Sequence, residues 1–354
     1  MDTSHFLYHY NITLRNRINP NGKEIRGVKP IIKDTCFEYN FENELDFLDV
    51  FDVNKSELYQ DGDSDIYTDY IFRGHKDSTW DLLPSVYRKK QEELDKDYKN
   101  RINTYASGNG ATQYNEVNNF ALFVKEIDNL GFSITDCSHK TIQFLDKKSN
   151  INGGNLLKNN DMFSFPKETQ LSELALAQHY GVGTRLLDFT KNPFTALFFA
   201  SENAYPFSRL IKPNDKRIGI WVIPKLLIDA IAQERFLKYV DVKKFQNSYI
   251  AAQKGVFLHY FPSSDSYLDL DFKEDITLKL DGLLTANYKN EYINKLINEH
   301  IGKPMLFTLP HSNLLPIAKR LKQLNVSWAT LMPSLDGVKK EVLRQNEKPY
   351  SNDI

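Results

Sequence analysis

Apolar residues recur along this chain with two periods, and the switch between them marks its elements. Phe41, Leu45, Leu48 and Phe51 fall at helical spacing, which predicts a short amphipathic helix within residues 41–52. Tyr67 to Arg73 reads as a strand, followed by a loop carrying Leu82, Pro84, Ser85 and Arg88. Residues 89–119 are polar and contain Gly108-Asn109-Gly110, which predicts an inserted exposed loop or loose helix. Phe120, Phe123, Val124 and Ile127 then predict a helix of about three turns. A second polar insertion runs from Lys147 to Asn160.

The strongest pattern follows. Leu171, Leu174, Ala175 and Gln178 place a helix over Glu168 to Tyr180, and Gly181 and Gly183 end it. Arg185 to Phe189 reads as a short strand. Asn192 is a good helix cap and Pro193 a good first helical residue, so Pro193 to Asn203 is predicted helical. Its Pro-Phe-Thr-Ala-Leu-Phe-Phe-Ala run is apolar nearly all round, which marks a buried helix. Arg217–Pro224 and Val256–Phe261 read as strands. Residues 286–301, 313–324 and Ser334–Leu343 read as helices.

Helices and short strands thus interleave, with long segments between the strands. This favours an α+β fold on a mixed or antiparallel sheet, with packed helices and polar loop insertions, over a doubly wound parallel sheet. Residues 1–41 read as an N-terminal extension or small strand region. The main domain is expected over 42–345, with a core at 42–265 and a helical C-terminal portion at 266–345. Residues 346–354 read as a tail.

Composition narrows the function classes. At 354 residues the chain is long enough for about two domains. Its 45 basic residues face 46 acidic ones, which argues against a generally basic nucleic-acid binder. No apolar run approaches the roughly 18 residues of a membrane span, and no signal peptide is expected at Met1-Asp2-Thr3-Ser4-His5. Cys36 and Cys137 are too few for a zinc site or a disulfide framework, so reduced thiols in a cytoplasmic protein are expected. Asp61-Gly62-Asp63-Ser64-Asp65 opens like a calcium loop but lacks the later Gly and Glu in register, and no metal is expected. Lysines outnumber arginines 33 to 12, so each arginine stands out.

The chain has no GxGxxG, Walker, HExxH or GxSxG motif. Two clusters remain. In Phe72-Arg73-Gly74, an Arg at a strand end can present a planar fork of donors to a phosphate or carboxylate, and the Gly permits close approach of backbone or ligand. The second cluster, Gln178-His179-Tyr180-Gly181-Val182-Gly183-Thr184-Arg185-Leu186-Leu187-Asp188-Phe189-Thr190, is dense in polar groups between apolar elements. Such groups must pair when buried, so Asp188 is expected to bridge Arg73 or Arg185. His179 is read as a structural group or a general base. His75, His139, His259, His300 and His311 are expected on the surface or in loops.

These blocks resemble the FRG domain family, named for Phe-Arg-Gly. The resemblance continues through Trp80, Leu82, Pro84, Ser85 and Arg88, then through Asn192-Pro193 and Ala196-Leu197-Phe198-Phe199-Ala200. It extends to Gln253, Gly255, Phe257 and Pro333-x-Leu335-Asp336-Gly337, and covers residues 42 to 345. Gly183 stands where the family usually has proline.

A looser resemblance joins the chain to arginine-class ADP-ribosyltransferases, through Phe72-Arg73-Gly74, Thr190 into Ala196–Ala200, and Gln253-Lys254-Gly255. It implies a related fold and an NAD-cleaving enzyme. Arg73, Gly74, Arg88, Thr184, Arg185, Thr190 and Gln253 would bind the ligand, and Arg73, His179 and Asp188 would serve catalysis. The acceptor would be a protein or nucleic acid, and family association implies a bacterial or phage toxin or a defence effector with an antitoxin or defence partner. Gly255 departs from that pattern, standing where a catalytic Glu is expected. Asp188, Glu173 or His179 would then have to replace that Glu. Otherwise the same cleft would be a non-catalytic module binding a nucleotide, a nucleic acid or a protein.

Overall fold

The computed structural model describes residues 22–33, 35–52, 54–55, 58, 70–88, 109–148, 165–202, 216–231, 237–244, 247–260 and 302–346. Its centre is one mixed sheet of eight strands: β1 (Ile31–Ile32), β2 (Phe37–Asn40), β3 (Tyr70–His75), β4 (Leu186–Thr190), β5 (Arg217–Pro224), β6 (Leu237–Val240), β7 (Gly255–Tyr260) and β8 (Met305–Pro310). The spatial order is β1-β2-β8-β5-β3-β4-β7-β6. The β2–β8 pair is parallel and every other pair is antiparallel. The chain is therefore α+β on a mixed sheet.

Helices cover the sheet: α1 (Glu44–Asp49), α2 (Asn109–Asn129), α3 (Asp136–Lys148), α4 (Leu171–His179), α5 (Pro193–Ser201), α6 (Lys225–Ile231), α7 (Ser248–Ala252), α8 (Leu314–Gln323), α9 (Trp328–Leu331) and α10 (Leu335–Asn346). The apolar run of β5 is buried from Ile218 onward, because the strand lies mid-sheet and is covered on both faces. Helix α5 starts where its sequence says it should. The Asn192 Oδ1 accepts the Phe194 amide at 3.0 Å, and Pro193 occupies the first helical position.

Two apolar cores form among the described residues. One gathers Phe41, Phe47, Phe51, Phe72, Leu197 and Phe307 under α1 and α5. The other packs Phe120, Val124, Leu174, Leu186 and Phe257 under α2 and α4. They meet at β3 and β4, which share a single register pair, Phe72 with Thr190. By contrast β3 pairs with β5 from Tyr70 to His75, and β4 with β7 from Leu186 to Thr190. The sheet is thus nearly split between β3 and β4.

Several elements differ from the sequence expectation. The N-terminal segment, read as an extension or small strand region, supplies β1 and β2 to the main sheet, and β8 puts a central strand inside the portion expected to be helical. β1 and β2 are short, and β2 and β8 pair with strands distant in sequence, which local periodicity does not reveal. β6 has no periodic signature and exists because β7 offers it an edge. Helix α2 begins at Asn109, inside the first expected polar insertion. His75 and His259, expected on the surface or in loops, are buried on β3 and β7. Cys36 and Cys137 are both unbridged; Cys36 is buried, which pushes its thiol up to about 11, and Cys137 is half-buried. No helix among the described residues is long and apolar enough to cross a membrane. The calcium-like turn at 61–65, His300, the expected helix at 286–301 and the tail beyond Asn346 lie outside the described residues, as do most of the segments 1–41 and 147–160.

Gly74 decides how closely α5 approaches the sheet. A Cβ there would stand 1.9 Å from the Ala196 carbonyl oxygen, so helix and strand touch backbone to backbone. A Gly74→Ala variant is expected to lose about 3 kcal/mol of stability, read as a lower denaturation midpoint at unchanged slope.

Candidate functional site

The near-split of the sheet opens a cleft of about 430 Å³. Strand alternation aims the FRG triplet in two directions. Phe72 and Gly74 face α5 and the core, whereas Arg73 and His75 project together on the opposite face. The Arg73 guanidinium crosses the gap that the missing ladder leaves. Its Nη1 donates to the Asp188 carbonyl oxygen at 2.6 Å and lies 2.8 Å from the Asp188 carboxylate. Its Nε donates to the His75 Nε2 at 3.0 Å.

This arrangement sets the protonation of both partners. His75 is 3% exposed, and burial, followed by the charges of Arg73 and Arg88, pushes its pKa down to about 3. It therefore stays neutral and serves Arg73 as an acceptor. Asp188 is the one outward residue of β4, with its side chain 60% accessible to the cleft. The concave walls partly desolvate the carboxylate, which alone would raise its pKa. The Arg73 charge and hydrogen bond, with help from Arg88, outweigh this and hold the carboxyl below its ordinary range.

Asp188 also ends a polar chain. Gln178 Nε2 donates to its Oδ1 at 3.3 Å, and the Thr184 hydroxyl donates to the Gln178 Oε1. Thr184 and Ser85 clasp each other, the Thr184 amide donating to Ser85 Oγ at 3.0 Å and Ser85 Oγ to the Thr184 carbonyl at 3.2 Å. The loop bearing Arg88 is fixed to β4 through this clasp. Arg88 Nε donates to the Leu83 carbonyl at 2.9 Å, and its head reaches the cleft.

Of the residues singled out from sequence, Arg73, Gly74, Arg88, His179, Asp188, Thr190 and Gln253 line this one cleft. Thr184 and Arg185 do not, and both are fully buried. Arg185 pairs with Glu116 of α2 at 2.7 Å, and Glu116 also accepts the Arg185 amide at 2.7 Å. A charge so deep requires a full partner, and α2 supplies it in place of a ligand. Glu173 likewise turns away, capping α3 through Thr135 and Ser138. The Thr190 hydroxyl is committed to the Gln253 carbonyl at 2.7 Å and accepts the Asn192 amide at 2.9 Å. Gly255 starts β7 and also lines the cleft, where Asp188 is the only carboxylate among the described lining residues.

The far wall was not legible in sequence. It consists of Phe199, Trp328 and Met332, with Lys340 Nζ lying 4.3 Å from the Trp328 ring centroid. His179 packs at a tilt against Tyr249 with ring centroids 4.1 Å apart, and burial and then Lys340 lower its pKa, so it is neutral near pH 7. Among the described lining residues Arg73, Arg88 and Lys340 outnumber the single carboxylate of Asp188, which leaves them with a net positive charge. The far wall escaped because Phe199 of α5 meets Trp328, Met332 and Lys340 of the α9–α10 segment from more than a hundred positions away.

Comparison with known families places an FRG domain at residues 138–209. That span runs from α3 through α5 and includes His179, Thr184, Arg185, Asp188 and Thr190; the Phe72-Arg73-Gly74 triplet lies before it. No curated protein and no solved structure matches the chain.

Two outcomes are expected. Glu116→Ala strands the buried Arg185 and lowers stability by about 3–5 kcal/mol, measured by denaturant melts. His75 binds a proton only below its folded pKa of about 3, whereas the unfolded chain takes one up near the ordinary 6.5. Its contribution to stability is therefore complete above about pH 6.5 and declines as pH falls toward 3, by about 1.4 kcal/mol per pH unit. Urea melts between pH 7 and 4 should show a slope that His75→Gln reduces by about that amount.

Proposed function

We propose that the cleft binds a phosphate-bearing nucleotide, that NAD is its substrate, and that the bond cleaved joins nicotinamide to ribose. The observation that carries this reading is the surroundings of Asp188. An ionised carboxylate held by Arg73 faces a cationic, aromatic-walled cleft in which no second acid competes among the described lining residues. Arg88 and Lys340 suit the pyrophosphate, since charge-assisted bonds to phosphate oxygens are strong. The apolar wall of Phe199, Trp328 and Met332 suits a ring.

In this reading the nicotinamide–ribose bond breaks with its electron pair, and neutral nicotinamide leaves. Asp188 faces the oxocarbenium-like ribose and lowers its energy electrostatically. Water, or a protein or nucleic-acid acceptor, adds to the ribose carbon, and neutral His179 takes the proton released. The resemblance of Phe72-Arg73-Gly74 and the Thr190-to-Ala200 segment to arginine-class ADP-ribosyltransferases supports an enzyme of that type with a related fold. The setting that accompanies it is a cytoplasmic bacterial or phage toxin, or a defence effector restrained by a partner.

A second reading is binding without turnover. Gly255 at the expected Glu position favours it, as does the 2.8 Å Arg73 contact that already neutralises much of the Asp188 charge. Nicotinamide release separates the two. Wild type is expected to release nicotinamide from NAD, and Asp188→Asn to lose about a hundredfold in rate while still binding ADP-ribose. Arg88→Ala and Lys340→Ala should each weaken ADP-ribose binding about tenfold. Binding without release from folded wild type selects the second reading, and no binding by calorimetry sinks both.

A further inference from the structure

We propose that the apolar end of the cleft, beside the first turn of α5, is a subsite for a neutral heterocycle bearing a carboxamide or exocyclic amino group, selected by Thr195 and Gln253. This rests on the reading of the cleft as a nucleotide site and names the ring-bearing part of that ligand.

Two polar groups at this end are left over. Thr195 is 1% exposed, and its hydroxyl oxygen is buried with no hydrogen-bond partner among the described residues. Thr195 is the third residue of α5, and its hydroxyl bonds neither a backbone carbonyl nor any other described group. Gln253 Nε2 donates to the Leu331 carbonyl at 3.1 Å. Because that partner is an acceptor, the amide nitrogen must face it, which turns Oε1 away with no partner among the described residues. Both residues line the cleft.

Phe72, Phe199, Phe257, Trp328 and Met332 line the same cleft, with Lys340 over the Trp328 ring, so a flat neutral ring is well accommodated there. A hydroxyl that can donate or accept, together with an amide oxygen that only accepts, matches a ligand edge with one acceptor and one N–H donor. Nicotinamide offers its carboxamide, and adenine its ring nitrogen and amino group. An unpaired buried hydroxyl costs stability, so its retention is explained if a ligand completes it.

The test measures the ring's share of affinity separately from the phosphate's. Full-length wild type, Thr195→Val and Thr195→Ser are titrated calorimetrically with nicotinamide mononucleotide, AMP and ribose 5-phosphate. Thr195→Val should lose about tenfold in affinity for the better-bound mononucleotide, with ribose 5-phosphate binding unchanged, and Thr195→Ser should retain most of it. Thr195→Val should melt no lower than wild type, since it removes an unpaired group of nearly the same shape. Equal losses for all three ligands, no loss for any, or a clearly lower melting temperature overturns the inference. Failure of the phosphate reading looks different: Arg88→Ala and Lys340→Ala would leave ribose 5-phosphate binding unchanged while the Thr195 effect on the ring persists. Wild type that binds none of the three overturns both.

Discussion

The Arg73 guanidinium holds together what the sheet does not. Strands β3 and β4 meet at one residue pair and then separate, so the backbone of Asp188 has no ladder partner on that side. Arg73 fills the place of that partner by donating to the Asp188 carbonyl, and its charge fixes the carboxylate above it. The planar fork suits this double task, because a lysine could not bond a carbonyl, a carboxylate and an imidazole from one rigid head. The cleft is thus a fault in the sheet bridged by a side chain, and the group that bridges it also orients Asp188, the one acid among the described lining residues.

The remaining polar residues hold the halves in place. Arg185 and Glu116 tie β4 to α2 in the interior, and the Ser85–Thr184 clasp ties the Arg88 loop to the start of β4. The Thr190 hydroxyl ties β4 to the turn before β7 through the Gln253 carbonyl. Each of these groups is dense in hydrogen-bonding capacity and sits among apolar elements, where an unpaired partner would cost more than the bond returns. His75 belongs to the same logic. Its neutrality follows from burial beside two guanidiniums, and a neutral imidazole is what Arg73 Nε requires as an acceptor.

Helix α5 shows how much local sequence can specify. Its cap, its first proline and its apolar surface all read correctly from the chain, and so did the extent of β5 from Arg217 to Pro224. Of the cleft residues, His179 and Asp188 stood out as polar groups between apolar elements, Arg73 as a strand-end arginine before a glycine, and Arg88 through the family resemblance. Arg185 was conspicuous for the same reason yet belongs to the interior, since local sequence cannot show that Glu116, 69 positions earlier, comes to meet it. Lys340, Trp328 and Met332 gave no local signal at all, because a surface-type lysine and two apolar residues on short helices are ordinary until α10 packs beside α5.

By itself the sequence determined α1, α4, α5, α8 and α10, the strands β3, β4, β5 and β7, the α+β class and the cluster of polar residues around Asp188, through short-range periodicity, caps and the cost of burying polar groups. Tertiary structure decided three further matters. It placed β1, β2 and β8 in the sheet, it divided the arginines into one that bridges the cleft, one at its rim and one sealed in the core, and it left the hydroxyl of Thr195 without a partner. The physical reason is the same each time. Strand pairing, ion pairing and the absence of a hydrogen bond depend on which distant group arrives, and that is set by how the sheet closes rather than by neighbours along the chain.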